Sequence, residues 1–282
     1  GERTLAVSED IRDYLVREYG VPAEHITLTI NGIDTNKFSP DVSGEAVRKE
    51  FDLGDGVVIG HVSRLDQAAC HTARQLIELA PRLDGAYPGI HILITGGGDS
   101  FEQLKERAEQ VNRNLGRTCV VLTGPRTDVN AIAAACQVFV GVSRSALEAM
   151  AEEKPVVLSG AQGHTGLFCP ELLQKAIDTN FCCRTDPVAD EETLYRAVTQ
   201  ALDLPEEEKQ RLGAYGRQTV QTYYSVQRMA QDCLDVYEQV RRRKYRVVMS
   251  GYYGFSNAGD DAILQSIHEG ILAASKDISV TV

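Results

Sequence analysis

The stretch Ser143–Gly166, SRSALEAMAEEKPVVLSGAQGHTG, holds a helix, a breaker and a strand in that order. Ser143 is placed to cap a helix, since a serine hydroxyl accepts an unpaired N–H of the first turn. Leu147, Met150 and Ala151 recur at helical spacing. Lys154-Pro155 is expected to end the helix, because a residue before proline is pushed out of the α region. Val156, Val157 and Leu158 read as a short buried strand, broken by Ser159-Gly160. A helix start gathers unpaired N–H groups and the positive end of the dipole, so it suits an anion. Here that start also carries Arg144, and Glu148 follows on the next turn, so a phosphate and a hydroxyl group could be held side by side. A capped surface helix feeding a buried strand accounts for the same residues without a ligand.

Working upstream, the same strand-then-helix alternation repeats. Val57–Val62 is an apolar run, followed by Ser63-Arg64-Leu65 and a helical pattern over His71–Leu83. Ile90–Thr95 leads into Gly96-Gly97-Gly98-Asp99, with Asp99 or Ser100 placed to cap a helix through Leu104–Val111. That turn is neither a G-x-G-x-x-G fingerprint nor a phosphate-binding loop ending in Gly-Lys-Ser/Thr. Cys119–Leu122 ends at Thr123-Gly124, Pro125–Asp128 is a loop, Asp128 is placed to cap Val129–Ala135, and Val138–Val140 leads back to the opening stretch. Alternation at this spacing predicts an α/β fold, a Rossmann-like parallel sheet with helices on both faces. In such sheets ligands bind beyond the carboxyl ends of the strands, where Ser63 and Arg64 fall.

The ends are less regular. Thr4–Val7, Glu9–Tyr19 capped by Ser8 and stopped by Gly20, and Ile26–Ile30 form a strand–helix–strand, followed by an Asn31-Gly32-Ile33-Asp34 turn. Downstream, Phe181–Cys183 reads as an edge strand, Glu191–Leu202 as a helix, Pro205 as a helix start, and Tyr215–Arg243 as one long helix with a solvated basic end at Arg241–Lys244. Arg246–Val282 reads as a further strand, glycine-rich turn and helix, with Asn257 or Asp260 near the helix start and Ile278–Val282 as a second strand.

Composition narrows the partners. A net charge of −11 disfavours nucleic acid and anionic membrane as general partners but permits a local phosphate pocket. There is no long apolar run and no visible signal peptide. Seven cysteines without paired spacing read as reduced thiols of a cytoplasmic protein, with Cys119 and Cys136 expected to be buried. The six histidines do not cluster with cysteines, so no metal site is expected.

ALEAMAEEKPVVLSG resembles the donor-site segment of family-4 (group 1) glycosyltransferases of the two-domain GT-B fold. In that pattern a Glu is followed after seven residues by a second Glu, which holds the ribose of a nucleotide sugar. Glu148 matches the second, and the first falls on Val140. The family's loop arginine matches Arg64, beside Ser63, and the lysine five residues on falls on Ala69. The resemblance implies a donor diphosphate held by Ser63, Arg64 and the helix N–H groups near Ser145 and Ala146. It implies loops facing the nucleotide at Gly97, Gly98, Gly124 and Arg126. No cofactor or metal is implied beyond a UDP- or GDP-linked donor.

VSEDIRDYLVREYGVPAEHITLTINGIDTNKFSP resembles the end of that family's acceptor domain and its linker, and VVMSGYYGFSNAGDDAIL resembles the opening of cell-wall polysaccharide pyruvyl transferases. The implied organisation is an acceptor-domain end over residues 1–37, a donor-binding domain over 38–244, and the first βαβ unit of a pyruvyl transferase over 245–282. The chain is then a fragment whose missing acceptor domain lies upstream, inactive by itself. The intact bacterial protein would transfer a glycosyl group to a cell-envelope acceptor, with peripheral membrane association left open. Two alternatives stand beside this: a sugar-nucleotide epimerase of the same fold, and a nucleotide-sugar-binding module without turnover.

Overall fold

The computed structural model describes residues 3–241, 245–248, 258–274 and 278–281. The chain opens with β1 (Thr4–Ala6), α1 (Glu9–Tyr19) and β2 (Ile26–Leu28), a small unit whose two strands pair in parallel. Ser8 Oγ accepts from the Ile11 N–H and Gly20 closes α1 in the left-handed conformation, both as the sequence predicts. The central domain follows as α2 (Glu45–Glu50), β3 (Val58–Val62), α3 (His71–Ala86), β4 (His91–Thr95), α4 (Phe101–Leu115), β5 (Val120–Gly124), α5 (Val129–Ala134), β6 (Val138–Gly141), α6 (Ser143–Ala151), β7 (Val156–Gly160) and β8 (Gly163–Leu167). Its six strands lie in the order β5-β4-β3-β6-β7-β8, all parallel except the hairpin partner β8.

Both faces of this sheet are covered, which explains why the strands read as unbroken apolar runs. Ile59, Ile92, Ile94, Val138, Val140 and Val157 pack on one side, in one core with Leu76, Leu83, Leu104 and Val111 of α3 and α4. On the other side Phe139, Val156 and Leu158 join Leu147 and Met150 of α6, and Val58 and Leu93 join Ile132 of α5. The expected α/β parallel architecture is the observed one. Cys119 and Cys136 are buried within it, as expected.

After the sheet come α7 (Leu173–Asp178), α8 (Glu191–Asp203), α9 (Glu206–Tyr223) and α10 (Val226–Arg241). The long helix expected over Tyr215–Arg243 is thus broken at Tyr224-Ser225. The linker causes the break. The Ile33 N–H donates to the Tyr224 carbonyl (2.7 Å) and the Val226 N–H donates to the Ile33 carbonyl (3.0 Å), so that Ile33 and Ser225 form a β-bridge. Gly32 permits the approach, since a Cβ there would lie 2.7 Å from Val226 Cα.

Phe181–Cys183 is not a strand either. Asn180, Phe181 and Cys183 all have positive φ, and the fully buried Phe181 ring packs on Phe168 and Tyr224. The sheet edge is β8 instead, and Ser159 and Gly160 belong to β7 rather than ending it. At the chain's end, β9 (Tyr245–Val248), α11 (Ala258–Ala274) and β10 (Ile278–Thr281) form a second parallel strand–helix–strand. The glycine-rich turn and Asn257 expected between β9 and α11 lie outside the described residues.

Candidate donor-binding site

The order of the central sheet reverses between β3 and β6, because the chain runs outward through β4 and β5 and then returns to the other side of β3. A reversal of this kind leaves a crevice at the carboxyl ends of the two strands. A pocket of about 270 Å³ lies there. Its walls are the segment between β3 and α3 (Ser63, Arg64, Ala68, Ala69), Thr72 on the first turn of α3, Val142 after β6, and Ser159–Gln162 at the β7–β8 turn.

The β3–α3 segment is held by its neighbours. The Ser63 N–H donates to the Thr95 carbonyl (3.1 Å), the Leu65 N–H to the Gly97 carbonyl (2.9 Å), and the Ser100 N–H to the Leu65 carbonyl (2.9 Å). Gly98 lies so close that a Cβ there would be 2.4 Å from the Leu65 carbonyl carbon, and its φ of +158 further favours glycine. Gly97 stands against Pro125. Gly97 and Gly98 therefore fix the segment that carries Arg64, and Gly124 has a positive φ of 75 at the end of β5. Asp66 Oδ1 accepts from the N–H groups of Ala68 (3.0 Å) and Ala69 (2.9 Å), so a carboxylate already occupies the approach to α3. Ala69, at the expected lysine position, gives the pocket no charge.

Arg64 is the cation of this wall. Its side chain is 79% exposed, with Nη1 3.2 Å from Asp66 Oδ2. His61, buried beneath it, bridges the Val140 carbonyl (Nδ1, 2.8 Å) and Ser63 Oγ (Nε2, 2.9 Å). Burial lowers the His61 pKa from 6.5 to about 4, so the ring is neutral near pH 7. The Val140 carbonyl can only accept, which places the imidazole proton on Nδ1 and makes Nε2 the acceptor of the Ser63 hydroxyl proton. Ser63 Oγ thus offers the pocket lone pairs rather than a donor.

The opening stretch differs in detail from its sequence reading. Val142, not Ser143, occupies the N-cap position of α6, and no side chain caps the helix. Ser143 has a φ of +51, and its N–H donates to the Phe181 carbonyl (2.7 Å). Such a conformation costs a non-glycine residue about 1–3 kcal/mol and is held here by the tertiary contact. The helix stops at Ala151, before Lys154-Pro155, through a closing turn in which the Glu153 N–H reaches the Met150 carbonyl and the Lys154 N–H the Ala149 carbonyl. Neither Asp128 nor Ser100 makes a side-chain cap, though each stands at the N-cap position of its helix.

Glu148 lies outside this pocket. It is 8% exposed, and Arg144 Nε donates to its Oε1 (2.8 Å). Burial raises the Glu148 pKa, against the opposing charges of Arg144 and Lys37. Ser145 Oγ donates to the Val142 carbonyl (3.1 Å), and Ala146 is fully buried. Val140 is buried inside β6, because only Val142 separates that strand from α6. Counting back from Glu148 therefore lands in a strand and not in a loop that could reach a ligand. The Arg126 side chain is committed elsewhere, paired with Glu50 (2.6 and 2.9 Å) and Asp128 (2.8 Å twice). The sequence reading missed Thr72 and Ser159. No local motif marks them, and they share a pocket only once the sheet is assembled. Among the described residues no group of three or more His, Cys, Asp or Glu side chains is placed to hold a metal ion, and no helix is long and apolar enough to cross a membrane.

The sequence matches the family described as Glycosyl transferases group 1 over residues 56–203, more than half of the chain. No curated protein matches. Among solved structures, the fold is similar to a glycosyltransferase from Rickettsia africae ESF-5 (TM-score 0.66, 17% identity, covering 85% of this chain and 64% of that one). It is also similar to Anabaena HepE in complex with UDP (TM-score 0.63, 18% identity, 85% and 64%) and in complex with UDP-glucose (TM-score 0.60, 18% identity, 84% and 64%). At these identities the likeness is one of fold, and the chain spans 64% of the length of each of these proteins.

Proposed function

The chain belongs to the group 1 glycosyl transferases, and we propose that it is the nucleotide-sugar-binding part of an enzyme that transfers a glycosyl group to a cell-envelope acceptor. The observation that carries this reading is the pocket at the β3/β6 reversal, with Arg64 at its edge. Arg64 neutralises the donor diphosphate. The first-turn N–H groups of α6 around Ser145 and Ala146 add to it, and Glu148 accepts from the ribose. Cationic side chains and a helix dipole then do the work of charge stabilisation without a cofactor. Residues 38–244 form the donor-binding domain, residues 1–37 close an acceptor domain, and residues 245–282 open a pyruvyl transferase-like unit in a cytoplasmic bacterial protein. The expected donor is UDP- or GDP-linked.

Titration calorimetry with UDP and GDP tests the reading. Arg64→Ala should weaken binding in a salt-dependent way. Glu148→Ala should weaken it about tenfold or more, the worth of charge-assisted hydrogen bonds to a diol. Loss at Arg64 with none at Glu148 would leave the phosphate assignment and remove the ribose assignment. A second reading, a binding module without turnover, is favoured by the buried Val140 where the family has a reactive-side carboxylate. Nucleotide-sugar binding without glycosyl transfer by the full-length protein would establish it.

A further inference from the structure

Arg184 reaches from the pocket wall to the first helix of the chain. Its Nε donates to Gln162 Oε1 (3.1 Å), and its Nη1 pairs with the Asp10 carboxylate on the first turn of α1. Gln162 stands at the β7–β8 turn, in the wall of the pocket at the β3/β6 reversal. Asp10 belongs to the β1–α1–β2 unit. No residue of α1 is buried, so packing does not fix where that helix lies. The unit is held at its linker instead, by the Ile33–Ser225 bridge and by Thr29 Oγ1, which donates to Asp232 of α10 (3.2 Å). We propose that Arg184 is a positioning residue that transmits the placement of the β1–α1–β2 unit to the pocket wall, holding Gln162 while Asp10 holds the guanidinium. The ligand served by this contact rests on the nucleotide-sugar reading above, and the coupling itself does not.

The side chain suits this task. A guanidinium is a rigid plane with N–H groups on more than one edge, so Nε and Nη1 can serve two acceptors at once. The backbone beneath it is fixed. Gly163 packs so closely that a Cβ there would collide with the Cys183 carbonyl oxygen. Two residues past Arg184, Asp186 accepts from Lys175 Nζ (2.5 Å) and Thr165 Oγ1 (2.9 Å). The Arg184 side chain is therefore the part that can respond. Held at both ends it is ordered, and released by Asp10 it regains the rotamer freedom of a long side chain. With its Oε1 taken by Arg184, Gln162 turns its NH2 group to other acceptors at the pocket wall. Arg184 and Asp10 are 36% and 48% exposed, so their pair is weak, salt-sensitive and reversible rather than a permanent tie. A wall that firms only when the first unit is in place would confine tight nucleotide binding to the assembled site.

Amide hydrogen exchange and UDP calorimetry on the chain test this, using wild type, Asp10→Asn, Asp10→Glu, Arg184→Gln and the double variant Asp10→Asn with Arg184→Gln. Asp10→Asn should speed exchange at residues 160–163 by about two- to fivefold, the range that an exposed ion pair supports, and leave β3 and β4 unchanged. Arg184→Gln should do the same, and the double variant no more, because both changes remove one coupling. Asp10→Glu keeps the charge and should restore the wild-type rates. UDP affinity should follow the same order, with losses of about two- to fivefold, and about 0.5 M salt should bring wild type to the Asp10→Asn value. Unchanged exchange at residues 160–163 in Asp10→Asn, or additive effects in the double variant, would overturn the coupling. Coupled exchange with equal UDP affinity in every variant would overturn the positioning role. Coupled exchange with no UDP binding by wild type would support the coupling and overturn the nucleotide reading instead.

Discussion

His61 Nε2 lies 2.9 Å from Ser63 Oγ, and the other ring nitrogen lies 2.8 Å from the Val140 carbonyl of the neighbouring strand. One buried imidazole therefore ties β3 to β6 at the sheet's reversal and orients the hydroxyl at the pocket's edge. Neutrality is a condition of this arrangement, because a charged ring would bear protons on both nitrogens and could not accept from Ser63.

The folded pKa of His61 is lowered from 6.5 to about 4, so between these values the unfolded state binds more protons than the folded one. The His61 contribution to stability is complete above pH 6.5 and is lost as the pH falls toward 4. The size of the shift corresponds to a loss on the order of 3 kcal/mol. Urea unfolding across this range should show a fall for wild type that His61→Asn flattens; parallel profiles would show that the ring does not titrate in this way.

Glu152 has the opposite sign. Both of its carboxyl oxygens are buried without partners, and burial raises its pKa from 4.5 to about 8, only partly offset by Lys154. Here the folded state binds more protons between pH 4.5 and 8, so this contribution to stability is lost as the pH rises through that window. Glu152→Gln should raise the melting temperature at about pH 8, and the gain should shrink toward about pH 5. A gain of equal size at both values would trace to packing rather than ionisation.

Arg126 joins Glu50 at the end of α2 to Asp128 ahead of α5, and these hydrogen bonds raise its own pKa while lowering that of Asp128. Removing it would leave two carboxylates facing each other. Arg126→Ala is expected to destabilise the protein by about 1–3 kcal/mol in denaturant titration. UDP affinity should stay near the wild-type value. A large loss of affinity at unchanged stability would assign the side chain to the ligand instead.

Gly98→Ala places a Cβ against the Leu65 backbone. The segment bearing Arg64 must then move, so stability should fall by about 2–3 kcal/mol and UDP affinity should fall with it. Gly54→Ala is a useful comparison. Gly54 also has positive φ, but a Cβ there meets nothing within 4 Å, so it should lower stability through backbone strain without touching UDP binding.

Much of the fold is written in short-range patterns. The apolar runs of β3, β4, β6 and β7 and the intervening helical periodicities are enough to specify a parallel sheet covered on both faces, because each pattern reports which sides of an element must leave water. Ser8 and Gly20 mark the ends of α1 by the same local logic. That Ser63 and Arg64 border the crevice was legible because a parallel α/β sheet opens its crevice at strand carboxyl ends. What the sequence could not show depends on groups far apart in the chain competing for one another. Ile33 takes the hydrogen bonds that would have carried α9 into α10, and the Phe181 carbonyl holds Ser143 at a positive φ that its own propensity disfavours. Val140 lies in a strand because the β6–α6 connection is a single residue, a length that a count along the family motif does not reveal. Thr72 and Ser159 come to line one pocket only where β3 and β7 flank β6, and an unpartnered buried hydroxyl is a property of the assembled interior that leaves no mark on its neighbours in sequence.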